Sequence, residues 1–148
     1  MIAINITCHA QTANYKQRCY QEIEAGRKTF LTGLQYYPAD VSTFGSFMRK
    51  ADASFSIAQN DFEKIKQGLK SDDSETIQMY LSRMVTMCED ITWMDNENAF
   101  ASYAVVDAIM ANRLNDIFHS KSSHHSAKKQ ASKPKEVIDL RTKKPAEN

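Results

Sequence analysis

The feature that most constrains this 148-residue chain is a heptad pattern of apolar residues in its middle. These residues follow one another at intervals of four and three, and we call them the seam: Phe44, Met48, Ala51, Phe55, Ala58, Phe62, Ile65 and Leu69. Such spacing places side chains along one stripe of an α-helix. Proline is absent from Ala39 to Lys133, and glycine occurs there only at Gly45 and Gly68. The pattern therefore predicts a long helix rather than short strands, which need frequent turn residues.

Three further stretches carry helical spacing. A helix before the seam would bury Tyr15, Cys19, Ile23, Gly26, Phe30 and Leu34, and would end at Pro38. A helix after it would bury Ile77, Leu81, Met84, Cys88 and Ile91. A last helix would bury Phe100, Tyr103, Val106, Met110, Leu114 and Ile117. We expect breaks near Tyr37–Asp40, Gly68–Asp73 and Asp95–Asn98, with Asp40 or Ser42 capping the seam helix.

The expected fold class is all-α, with about four amphipathic helices in an antiparallel, bundle-like or coiled-coil-containing body. The same seam also fits a homodimer, because 3.5-residue spacing serves contacts within a chain and between chains equally well. The sequence allows two interpretations of the structure of residues 1–8. Ile2, Ile4 and Ile6 alternate with small or polar residues, so this segment is extended or strand-like in one interpretation and a helical lead-in in the other.

The charge divides the chain into two parts. Residues 1–118 carry 11 Lys and Arg against 15 Asp and Glu, a net −4, whereas residues 119–148 carry 8 against 3, a net +5. All 14 aromatic residues fall at or before Phe118. A segment so poor in apolar groups cannot offset the entropy of ordering its backbone. We expect a helical body over 1–118 and a basic, largely disordered tail over 119–148.

The tail contains one short apolar island, formed by Val137, Ile138 and Leu140. We interpret it as a linear motif that binds a protein partner, with folding back onto the body or chance composition as the alternatives. The basic residues around it would supply electrostatic contacts: Lys128, Lys129, Lys133, Lys135, Arg141, Lys143 and Lys144. The same residues could neutralise phosphates, so nucleic acid is a second candidate partner.

The sequence offers little that points to catalysis, a metal or a cofactor. It has no nucleophile elbow, no glycine-rich phosphate loop and no paired Cys-x-x-Cys or His-Glu-x-x-His ligands. The histidines are His9, beside Cys8, and the group His119, His124 and His125. We expect no catalytic residue, no metal and no cofactor, and we interpret this chain as a non-enzyme.

Methionine and tryptophan give a weaker signal in the second half of the body. Met48, Met84 and Met110 fall on the predicted core faces, whereas Met79, Met87 and Met94 lie beside them with Trp93. Such residues can form an adaptable binding surface, and Trp93 is our candidate partner contact in the body. Helix packing explains them as well, and we favour packing.

These observations favour a small adaptor, inhibitor or regulator that acts by protein–protein contact, a build common among accessory proteins of phages and mobile elements. The alternative is a nucleic-acid-binding regulator that uses the basic tail. The chain has no apolar run long enough for a membrane span, no signal-peptide pattern and three cysteines, an odd number. We therefore expect a cytoplasmic protein with no membrane contact.

Overall fold

A computed structural model describes residues 2–96 and 98–120, with side chains from Gln11 onward. Within these ranges the fold is all-α, as predicted, with no strand. The α-helices are α1 (Ile2–Leu34), α2 (Val41–Ile65), α3 (Ser71–Glu89) and α4 (Ala99–His119). Two short 3-10 helices, η1 (Lys66–Gly68) and η2 (Ile91–Asp95), lie in the connections on either side of α3.

The chain divides after Phe118 into two units, Met1–Phe118 and His119–Asn148, and the described helices lie in the first except for His119, the last residue of α4. The disordered tail that we predicted over 119–148 lies outside the described residues from position 121 onward. The apolar island and the basic residues of that tail lie outside them too.

Side-chain contacts show that successive helices run antiparallel. Arg18 in the middle of α1 meets Asp61 near the end of α2, and Gly33 at the end of α1 lies against Phe47 near the start of α2. Asp73 at the start of α3 meets Arg113 near the end of α4. Helix α4 also packs on α1, because the rings of Tyr103 and Phe30 lie 4.8 Å apart. The described helices therefore form the antiparallel bundle that their spacing predicts.

The seam forms the centre of the core. Its residues from Phe44 to Ile65 are buried, and Leu69 is half-buried against them. Asp40 caps α2, as predicted, because its carboxylate accepts a hydrogen bond from the backbone N–H of Thr43 at 3.0 Å. The seam is buried within a single chain, so a homodimer through it would require helices to exchange between chains, and that prediction stays untested.

Helices α1 and α2 approach closely at one glycine. A methyl group added at Gly26 would stand 2.7 Å from the ring of Phe55, which is too close for two carbon atoms.

A second buried contact between α1 and α2 is polar. Asp61 is fully buried and accepts hydrogen bonds from Arg18, one of them at 2.7 Å. The spacing of apolar residues did not reveal this carboxylate.

Residues 2–8 belong to α1, so the extended or strand-like interpretation of this segment is wrong. A strand needs a neighbour to satisfy its backbone groups, and the described residues contain no strand. A helix satisfies those groups within its own segment. The alternation of Ile2, Ile4 and Ile6 therefore did not decide the local structure.

The predicted buried face of α4 is wrong at two positions. Phe100 and Val106 are exposed, at 45% and 53%. Asp107 takes the inward position, and Tyr103, Leu114 and Ile117 are buried as expected. The inward residues follow the 4, 3, 4, 3 spacing through Asp107 instead of Val106. The reason is that Asp107 has a cationic partner on α1.

The third predicted break begins earlier than expected. Helix α3 ends at Glu89, so Ile91 lies in η2 and not on α3. The carboxylate of Asp90 accepts hydrogen bonds from the backbone N–H of Thr92 at 3.1 Å and from its hydroxyl at 2.7 Å. These bonds favour a new turn over continuation of the helix. Trp93 therefore lies in η2, within the connection between α3 and α4.

Candidate functional site: a groove between α3 and α4

An open groove of about 620 Å³ separates α3 from α4. Its α3 wall consists of residues that recur at intervals of three and four positions, including two neighbouring pairs: Thr76, Met79, Tyr80, Arg83, Met84 and Met87. Its α4 wall has the same spacing: Ala99, Ser102, Tyr103, Val106, Asp107 and Met110. Residues so spaced lie on one side of a helix, so the two helices present facing stripes. Trp93 and Asn96 close the end near the connection.

Methionine dominates the apolar surface of this groove. Met79 is exposed, Met87 and Met110 are half-buried, and Met84 is buried at the base. Val106 adds an exposed apolar side chain on the opposite wall. Methionine is flexible and polarisable, so such walls adapt to the shape of a partner.

Trp93 is held in place by contacts on the side away from the groove. Its ring stacks on Phe30 of α1 at a centroid distance of 5.7 Å and an angle of 11°. Its indole N–H donates to the backbone carbonyl of Met87 at 3.0 Å. The ring is therefore fixed from behind while it lines the groove. The structure thus places the predicted contact Trp93 in this groove.

Asp107 in the lining of this groove belongs to a polar cluster with Glu24 and Arg27 of α1, and we call these three residues the acidic triad. Arg27 donates to both oxygens of Asp107, at 2.9 and 2.8 Å, and to Glu24 at 2.7 Å. The hydroxyl of Tyr103 donates to Asp107 over a longer 3.4 Å. Hydrogen bonding to Asp107 raises the pKa of Arg27, which stays cationic. The triad carries two negative charges against one positive charge.

Tyr80 lies beside this cluster, and its hydroxyl group makes no hydrogen bond to the described residues. The residue is 8% exposed, and its hydroxyl has no hydrogen-bond partner among the described residues. Burial is the main cause that raises the pKa of Tyr80, so the hydroxyl stays protonated. A buried hydroxyl without a partner costs stability, and a bound ligand can remove that cost.

Sequence reasoning found Trp93 but missed Asp107 and Tyr80. The missed signal was that α4 carries apolar residues on more than one side, among them Val105, Val106 and Ile109. Such a helix has a second apolar face beside the one that packs on the core. Once Asp107 is included, the inward spacing of α4 becomes regular.

The tail residues predicted as contacts cannot be placed. The island of Val137, Ile138 and Leu140 lies outside the described residues. The predicted electrostatic contacts lie outside them as well: Lys128, Lys129, Lys133, Lys135, Arg141, Lys143 and Lys144.

The described cysteines are poor nucleophiles. Burial raises the pKa of Cys19 and of Cys88 to about 12, so both thiols stay protonated near neutral pH. Among the residues that the structure describes, no three His, Cys, Asp or Glu side chains gather as metal ligands. The side chains of Cys8 and His9 and the residues His124 and His125 are not among them.

Comparisons with known proteins leave the groove as the main guide to function. No protein-family model, curated protein or solved structure matches this chain. None of the helices in the described ranges has the length and apolar character that crossing a membrane requires.

Proposed function

We propose that this protein is a protein-binding adaptor or regulator whose α3–α4 groove receives an amphipathic helix of a partner. The observation that carries the proposal is the groove itself, which combines four methionines with the fixed ring of Trp93. Methionine-rich apolar grooves are a recurring way to bind the apolar face of a helix. Tryptophan is enriched among the residues that dominate binding energy at interfaces.

The dimensions of the groove agree with this occupant. Its α3 wall extends from Thr76 to Met87, which corresponds to about 16 Å along a helix axis. A partner helix would present about three turns over that distance, enough for apolar anchors at positions i, i+3 or i+4, and i+7. The exposed groove residues Met79 and Val106 would lose contact with water when such a helix binds.

Two neighbouring valines of α4 provide a matched test. Val106 lines the groove, whereas Val105 is exposed on α4 without lining it. Val106→Glu places a charge in the apolar groove, and Val105→Glu places the same charge one residue away. Both side chains are more than half exposed, so both variants should fold.

The experiment is affinity purification of the full chain and the two variants with and without nuclease treatment, followed by titration calorimetry with each purified partner. We expect partners that wild type and Val105→Glu retain and Val106→Glu loses. Retention of every partner by Val106→Glu would refute the groove as the binding site. Loss of all captured molecules on nuclease treatment would favour the nucleic-acid alternative.

A further inference from the structure

The base of the α3–α4 groove has an electrostatic preference that the apolar walls do not explain. The acidic triad has a formal charge of −1, because Arg27 neutralises only one of its two carboxylates. Asp107 is 6% exposed and lines the groove, so little water screens its charge there. The other charged lining residue, Arg83, is exposed, and its charge is screened by water.

The hydrogen-bonding capacity of this base is also incomplete. A carboxylate offers about four lone-pair directions, and Asp107 accepts two short bonds from Arg27 and one longer bond from Tyr103, so one direction is left. The hydroxyl of Tyr80 has no partner among the described residues. Both groups can accept a hydrogen bond from a donor that enters the groove.

We propose that the partner helix carries a basic side chain, lysine or arginine, on its apolar face, and that this side chain reaches Asp107 and Tyr80 at the base of the groove. This inference rests on the proposed function, because it specifies the occupant of the same groove. The apolar stem of the basic residue would lie against Met84 and Met110, and its cationic end would meet the acidic triad. A charge-assisted hydrogen bond in such a place is stronger than a neutral one.

The test begins with the full-length protein and a displayed library of amphipathic peptides, each about five helical turns long. The tightest peptide that Val106→Glu fails to bind is then synthesised in three forms, with lysine, leucine or glutamate at the residue that faces the base. We expect the lysine form to bind about 10-fold or more tightly than the leucine form, and the glutamate form to bind most weakly.

Tyr80→Phe provides the sharpest variant, because it removes the unpartnered hydroxyl and retains the ring. We expect the preference for lysine over leucine to fall about fivefold, while the affinity for the leucine peptide changes little. Tyr36→Phe is the matched control, since Tyr36 is partly exposed and does not line the groove. It should leave the preference unchanged. An undiminished preference in Tyr80→Phe would contradict the proposed contact.

The remaining outcomes separate this inference from the proposed function. Groove-dependent peptides with an apolar or acidic residue at that position would overturn the basic anchor and leave the groove as a helix-binding site. A library with no groove-dependent peptide would overturn both. A concentration-dependent dimer that Val106→Glu dissociates would show that a second copy of the chain fills the groove, which also overturns the inference.

Discussion

Two ion pairs show how single residues decide where the helices of this protein lie. Asp61 is fully buried on α2, but its partner Arg18 remains half-exposed. In the α1–α4 pair both side chains are largely buried, at 11% exposure for Arg27 and 7% for Asp107. Removal of either arginine therefore leaves a buried carboxylate without its cation.

The first prediction is that Arg27→Met lowers the free energy of unfolding by about 3–5 kcal/mol, because it leaves the carboxylate of Asp107 buried without its cation. The double variant Arg27→Met with Asp107→Leu should lose less than the sum of the two single changes, since it leaves no unpaired charge. Chemical denaturation of the four proteins gives the coupling energy. Strict additivity would mean that the pair makes no net interaction.

The second prediction concerns the seam. Phe62 is 2% exposed, so Phe62→Ala should lower the free energy of unfolding by about 3–5 kcal/mol through lost burial and the cavity left behind. Ile57→Ala, on the exposed side of the same helix, should cost about 1 kcal/mol or less. Equal effects in urea denaturation would show that the seam is not the core.

At the scale of the helices, the sequence predicted some elements much better than others. Helix α2 was predicted well because one of its faces, the seam, is apolar and the opposite face is mostly polar. Helix α4 is ambiguous, because a shift of one residue from Val106 to Asp107 turns the face by about 100° and still leaves an apolar stripe. Which of these two residues faces inward depends on Arg27 of α1, which lies 80 positions from Asp107 in the chain. Local spacing contains no information about such a partner.

The groove was less predictable than the fold for the same reason. Methionine spacing alone could not decide between packing and a binding surface, and we favoured packing. That interpretation is correct for Met48 and Met84, which are buried, and it is wrong for Met79, which is exposed. Whether α3 and α4 close on each other depends on the side chains between them, such as Trp93 and Tyr103. The residue pattern of one helix does not predict the distance between α3 and α4.

The third prediction concerns the start of α2. Hydrogen bonds from Thr43, first from its hydroxyl and then from its backbone N–H, lower the pKa of Asp40 below about 3.8. The stabilisation is therefore present above that unfolded-state value and is lost as the pH falls through the lower folded value. Asp40→Asn retains an acceptor but cannot titrate. Its melting temperature should depend less on pH below about pH 4 than that of wild type, and identical pH profiles would contradict the assignment.

At the scale of the whole molecule, the body and the tail make separable predictions. The fourth prediction is that Ile138→Ala with Leu140→Ala weakens binding to a protein partner and leaves the melting temperature of the body nearly unchanged, because those residues are expected to serve as a linear motif. Calorimetry and thermal melts of the full chain test both parts.

The basic residues of the tail serve as the contrasting set in that experiment. The residues to be replaced are Lys128, Lys129, Lys133 and Lys135. Their replacement should lower the affinity for the partner in a salt-dependent way, because ions screen such electrostatic contacts. If the double alanine variant binds every protein partner normally while the lysine variant loses nucleic acid, the adaptor proposal fails and the nucleic-acid alternative replaces it.

The central claim is that the α3–α4 groove is the binding surface of this protein, and methionine methyl NMR tests it most directly. Met79, Met84, Met87 and Met110 line the groove, whereas Met48 is buried on α2 away from it. On addition of the tightest library peptide to the full chain labelled at its methionine methyl groups, we predict that the four groove signals shift and that of Met48 does not. Shifts confined to other methionines, with the four groove signals unchanged, would contradict the claim.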